Sequence, residues 1–184
     1  IVLVEAFLDS GLGLPAQQRE HAERRSARVS SGESAAFVAI TFAAYNLARC
    51  RNLDEDNLCR IYDRRPLVCR IYPMEINPHI PLNIAVKECP PESWESGPEL
   101  IVGGALVDQP LAELIQRSRQ ADRDDVLVKD AMCALLGIRT TALKGDGFTA
   151  YLPDMAEFAT IFDELAGQTL PEWASEWLFH VSGD

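Results

Sequence analysis

The sequence lacks most features that announce a familiar chemistry. It has no glycine-rich phosphate loop, no dinucleotide fingerprint and no hydrolase elbow, so nucleotide binding and serine-type hydrolysis have no carrier. Basic residues are in deficit, with 17 Lys and Arg against 28 Asp and Glu, a formal net charge of −11 and a pI near 4.7. So acidic a chain offers no broad face to nucleic acid or to an anionic membrane. No apolar run approaches the roughly 18 residues of a membrane span. The longest, residues 35–48, is interrupted by Thr41, Tyr45 and Asn46. Residues 1–8 carry neither a basic n-region nor a small-residue cleavage site and do not read as an intact signal peptide. Repeats and low-complexity tracts are missing as well. Histidine is scarce, at three residues. Of these only His79, in a loop after Pro78, stands where it could serve as a ligand, and its plain reading is an exposed loop residue. His21 and His180 carry no partner signal.

What the chain does have is cysteine. Cys50, Cys59, Cys69 and Cys89 fall in one short segment, and Cys133 stands apart. With 184 residues, 47% of them hydrophobic, the expectation is one globular domain over 1–184 that can bury a core without disulfide staples. An odd cysteine count without a secretion signal points to reduced thiols in a cytoplasmic protein, and clustered reduced thiols point to metal.

The pattern along the chain predicts an α+β fold, mainly α, with an irregular cysteine-rich segment over about 50–90 and a helical C-terminal half over 109–184. Residues 14–30 read as a polar surface helix. Phe37, Ile40, Thr41, Ala44 and Leu47 recur at helical spacing and predict a core helix ending near Arg49. In the cysteine segment, Pro66 pushes Arg65 out of the helical region, giving an extended or turn connection. Residues 80–86 read as a strand. Further on, 110–120 and 124–136 read as amphipathic helices. Residues 140–144 and 148–152 form a candidate hairpin about Gly145-Asp146-Gly147. Helices are expected at 154–166 and 170–180, the latter with Trp173, Trp177 and Leu178 as an apolar stripe packed on the domain. Cys133, on the apolar side of its helix, belongs to the core.

Four thiolates suit a tetrahedral zinc ion or an iron–sulfur cluster, because both want soft anionic sulfur. Arg49, Arg51, Arg60, Arg70 and Lys87 flank the cysteines, and such cations favour the thiolate form. The intervening lengths of eight, nine and nineteen residues mean that the fold must assemble any site. The alternative is that the cysteines are small buried hydrophobes among Leu58, Ile61, Val68 and Ile71. Asp54-Glu55-Asp56 lacks the alternating oxygen ligands, glycine and distal glutamate of a calcium loop and reads as a solvated turn. Gly103-Gly104 has too little context for a phosphate site.

The segment carries a recognisable order. Cys50 and Leu53 lead into the acidic turn. Cys59-x-Ile61-Tyr62, Arg65-Pro66 and Cys69-Arg70-x-Tyr72-Pro73 follow, with Cys89-Pro90 later. This resembles the bacterial cysteine-cluster family described as a zinc- or iron-chelating domain, over about residues 50–90. The resemblance implies a metal centre, Zn2+ or an iron–sulfur cluster, held by Cys50, Cys59, Cys69 and Cys89. Arg65, Arg70 and Tyr72 also match, and would support the thiolates from outside the ligand set. The family is named for an upstream C-x-x-C-x-x-C-C run, whereas no cysteine precedes Cys50 here. Either further ligands complete a larger site or these four make a closed one.

Three functions are compatible with this reading. The first is a metal-binding protein whose centre is structural, redox-active or engaged in metal handling, with metal as its partner and no nucleic acid or membrane. The second is an enzyme: a branch similar in its cysteine signature comprises flagellin lysine N-methylases, which would imply S-adenosylmethionine, although no donor-binding glycine loop is evident. The third is a protein-interaction module with structural cysteines.

Overall fold

A computed structural model describes residues 1–8, 16–143, 148–170 and 175–180. The chain falls into two compact units, one made of residues 1–47 with 122–184, the other of residues 48–121. Strands and helices coexist, so the α+β expectation holds.

Unit 1 is organised by β1 (Val2–Leu8), β2 (Ser26–Ser31) and β3 (Ser34–Phe42), which with β7 (Thr149–Tyr151) form a sheet of order β2-β3-β1-β7. The three pairings are antiparallel. Alternation decides which face is buried. Val2, Val4 and Ala6 of β1, Ala36, Val38 and Ile40 of β3, and Ala27 and Val29 of β2 join one core cluster with Cys133, Ile138 and Trp177. On the other face Phe7 stacks on Phe37 with centroids 5.2 Å apart. There the Arg25 guanidinium donates to Thr41 Oγ1 at 3.2 Å and lies 3.9 Å from the Glu5 carboxylate. Burial raises the Glu5 pKa, and Arg25 partly opposes the rise.

The helices of this core are α4 (Val126–Leu135) and α5 (Met155–Leu165). Asp154 caps α5 by accepting from the Ala156 and Glu157 amides at 2.9 and 3.0 Å. Met132 of α4 forms a second small cluster with Ile161 and Leu165 of α5.

Several expectations are corrected. The core helix over 35–48 is instead β3, with no helix over 43–48. Its Phe37–Ile40 spacing satisfied a helical period, but Ala36, Val38 and Ile40 also satisfy a period of two. Partner strands on both sides settle the choice. The helix over 14–30 is reduced to a 3-10 turn (Ala16–Gln18) and α1 (Arg19–Arg24) before β2 begins. Residues 140–144 and 148–152 do not pair as a hairpin. Instead β6 (Thr140–Ala142) pairs in parallel with β8 (Leu178–His180), and β7 pairs with β1. The turn proposed between them lies outside the described residues. The terminal helix is replaced, where described, by an extended segment: Trp177 N donates to Ser30 O at 3.1 Å and Leu178 N to Arg139 O at 2.9 Å. Trp177 is fully buried as expected, Leu178 is exposed, and Trp173 lies outside the described residues. The helices at 110–120, 124–136 and 154–166 are present, the first as α3 (Gln109–Asp124).

Among the described residues, Asp130 is the charged one that is buried in this unit. Its Oδ1 accepts from Arg139 Nη1 at 2.7 Å and from the buried Trp177 Nε1 at 3.2 Å. The carboxylate thus joins α4, the approach to β6 and the β8 segment. Asp130→Ala strands the indole N–H and the guanidinium, and should cost about 2 kcal/mol. Asp130→Asn, which still accepts, should cost less; thermal melts of the two variants check the order.

Cys133 is fully buried, in agreement with its core assignment. Burial pushes its thiol up from 9.0 to about 12, the Asp130 carboxylate adding to the rise and Arg139 opposing it. The folded chain therefore holds this proton more tightly than the unfolded chain. The stability this contributes is complete below about pH 9 and is lost as pH climbs towards about 12. Cys133→Ala should show a shallower decline across that window, measured by urea unfolding.

Candidate metal centre

All four signature cysteines lie in unit 2. Apart from the 109–121 portion of α3, its regular elements are short: α2 (Leu67–Ile71), the two-residue strands β4 (Ile101–Val102) and β5 (Ala105–Leu106), and four 3-10 residues at Pro91–Trp94. Gly103 and Gly104, both at positive φ (58° and 81°), form the two-residue turn joining β4 to β5, a conformation that favours glycine.

Cys50 and Cys59 flank one small knuckle. The Leu53 amide donates to Cys50 O at 3.1 Å, Leu53 bridges to Cys59, and the Arg60 amide donates to Asn52 O at 2.8 Å. The acidic turn between them is a hydrogen-bonding device, as its solvated reading implies. Asp54 Oδ1 accepts from the Asp56 and Leu58 amides at 3.0 and 2.8 Å. Asn57 adopts φ 61°, a conformation asparagine tolerates, and its Oδ1 accepts from Arg49 Nη1 at 3.1 Å.

Beyond Cys59 the chain makes a 3-10 turn over Tyr62–Arg64. Arg65 is extended as Pro66 requires, with φ −58° and ψ 139°. Its Nε donates to Tyr62 O at 3.1 Å, and its guanidinium sits 3.8 Å from the Tyr62 ring centroid. Cys69 lies in the middle of α2, its amide donating to Pro66 O at 3.0 Å. Arg70, next to it, is exposed.

The Cys89 arm returns by a different route. Residues 80–86 are not a strand: Pro81 removes a donor, and Asn83 Oδ1 accepts from the Ala85 amide at 3.1 Å to start a 3-10 turn over Ile84–Val86. The arm then meets the end of α2. The Glu88 amide donates to Tyr72 Oη at 2.8 Å, Lys87 Nζ lies 5.5 Å from the Tyr72 ring centroid, and Lys87 pairs with the Glu75 carboxylate. Glu75 was not singled out from sequence. Only its opposite charge to Lys87, twelve residues on, could have pointed to it. Cys89 also lines an open cleft of about 540 Å³ with Pro73, Leu82 and Trp94.

Among the described residues, no three His, Cys, Asp or Glu side chains are gathered to hold a metal ion. Cys50 and Cys69 are exposed, Cys59 and Cys89 half-buried, and all are free thiols. The burial alternative therefore does not describe Cys50 and Cys69. His79 is exposed in its loop.

Two observations bear on whether this segment suits a metal. The donor set is soft, and its segment escapes the acidity of the chain: residues 48–90 hold seven Lys and Arg against six Asp and Glu, a net of +1 in a chain of −11. Unit 2 also has almost no apolar interior. Of its described residues only Ile71 and Ile115 are buried hydrophobics, while Leu58, Tyr62, Val68, Ile84 and Val86 are exposed. A unit of this size without a core needs another source of order, and a metal is a common one.

Residues 13–90 match the CxxCxxCC family model, described as "Putative zinc- or iron-chelating domain". The match includes the whole run from Cys50 to Pro90 and reaches upstream through α1, β2 and β3 of unit 1. No curated protein and no solved structure matches the chain. Metal chelation is thus the property this likeness supports, with zinc and iron both within the family description.

The thiol environments differ enough to separate by reactivity. Iodoacetamide at neutral pH, on metal-free native protein, should label Cys50, Cys59, Cys69 and Cys89 and leave Cys133 intact until the chain is unfolded. Peptide mass spectrometry reads each site.

Proposed function

We propose that this is a metal-binding protein in which Cys50, Cys59, Cys69 and Cys89 chelate zinc or an iron–sulfur cluster, and that the centre organises unit 2. The observation that carries this reading is the coincidence of all four signature cysteines with the unit that lacks an apolar core. Metal ligation would draw the knuckle, α2 and the Cys89 arm to one point, so binding and ordering are one process. A centre closed by four thiolates has no open coordination position, which favours a structural or metal-handling role over hydrolysis. Arg65 braces the turn between Cys59 and Cys69, Tyr72 holds the backbone beside Cys89, and Arg70 adds positive charge next to Cys69.

Protein purified without oxygen and analysed for metal, sulfide and visible absorption tests the proposal. One zinc per chain without colour indicates a closed zinc site; iron with acid-labile sulfide indicates a cluster. Cys59→Ser and Cys69→Ser should each lose most of the metal and lower the melting temperature. Unchanged metal content and melting in both variants would overturn the assignment.

A further inference from the structure

The longest gap between the proposed ligands separates Cys69 from Cys89, with nineteen intervening residues. Holding so long a loop closed costs conformational entropy that metal binding must otherwise supply. Protein contacts also close this loop. Tyr72, three residues after Cys69, accepts from the Glu88 amide at 2.8 Å through its phenol oxygen. The same ring lies 5.5 Å from the Lys87 ammonium. Lys87 in turn pairs with the Glu75 carboxylate, and its side chain is only 11% exposed despite its charge. A lysine so covered is held in one place, unlike the mobile lysines of an open surface. Three contacts from two sides thus converge on the two residues directly before Cys89.

Resting on the metal reading above, we infer that Glu75, Lys87 and Tyr72 form a latch that holds the Cys89 arm against the end of α2 and so pre-positions Cys89 as a ligand. Neither Glu75 nor Lys87 offers a donor that the metal needs; both are positioning residues that act through the backbone at Glu88. The latch holds the arm against the end of α2, so less of the segment remains to be ordered by metal binding. Changes to groups that orient ligands commonly weaken metal affinity by roughly 10- to 100-fold without changing the ligand count.

The full chain tests this in two ways. In the metal-free protein, alkylation rates at each cysteine are followed by peptide mass spectrometry for Tyr72→Phe, Lys87→Met and Lys87→Arg. The first two should raise the Cys89 rate severalfold while Cys50 keeps its rate, and Lys87→Arg should behave as wild type. Zn2+ affinity is then measured by competition with a chromophoric chelator. Tyr72→Phe and Lys87→Met should bind the same number of ions roughly tenfold more weakly, and Lys87→Arg should stay close to wild type. An unchanged Cys89 rate overturns the latch. So does a rate rise shared by all four cysteines, which would report unfolding of the unit. A raised Cys89 rate with unaltered Zn2+ affinity shows an arm held for some other end and also overturns the inference. Wild-type protein that takes up no Zn2+ and no iron overturns the metal reading, while the alkylation pattern still decides whether the latch exists.

Discussion

Seven consecutive residue pairs join β1 to β3, from Val2 opposite Phe42 to Leu8 opposite Ala36, and the arrangement of unit 1 follows from that register. It places Val2, Val4 and Ala6 on the same face as Ala36, Val38 and Ile40, making the wall on which Cys133, Ile138 and Trp177 pack. A slip of one residue would turn the set outward and bring Leu3, Glu5 and Phe7 to that wall. The later elements are tied to the same strand. Thr141 Oγ1 donates to Val4 O at 3.1 Å, and β7 pairs with Val2, Leu3 and Val4. The buried Asp130 lies within this frame and gathers Arg139 and Trp177 around one carboxylate.

Helices whose order comes from their own sequence were legible. The Asp154 cap and the apolar periods of α3, α4 and α5 are local signals, and each helix lies close to its expected bounds. The sheet was not legible, because its signals are shared between distant segments. Residues 36–40 fit both a helical and a strand period, and only the partner strands on either side, β1 and β2, decide between them. The pairing of β6 with β8 rather than β7 is of the same kind. A glycine-flanked turn suggests a hairpin, but a strand from the chain's far end takes the place of the neighbour.

The candidate site was legible in a different sense. Its residues announce themselves by type and order, and the family match covers every one of them. Their spatial relation was not readable, because the segment has no period from which to build it. Only Pro66 and the Asp54 turn make firm local statements, and both appear as expected. The sequence likeness and the compact units also divide the chain at different places. The match begins at residue 13 and takes in β2 and β3, which hold no cysteine, yet stops before β4, β5 and α3 of the cysteine unit. The family model and the compact units thus set different boundaries along the chain.

Unit 1 is assembled from the two ends of the chain, with unit 2 as the passage between them. That order has a consequence during synthesis. When β1, β2 and β3 have left the ribosome, the residues that cover their apolar face, Cys133, Ile138 and Trp177, have yet to be made. The whole of residues 48–121 emerges in that interval. The cysteine segment is thus synthesised before the residues that cover the sheet preceding it in sequence.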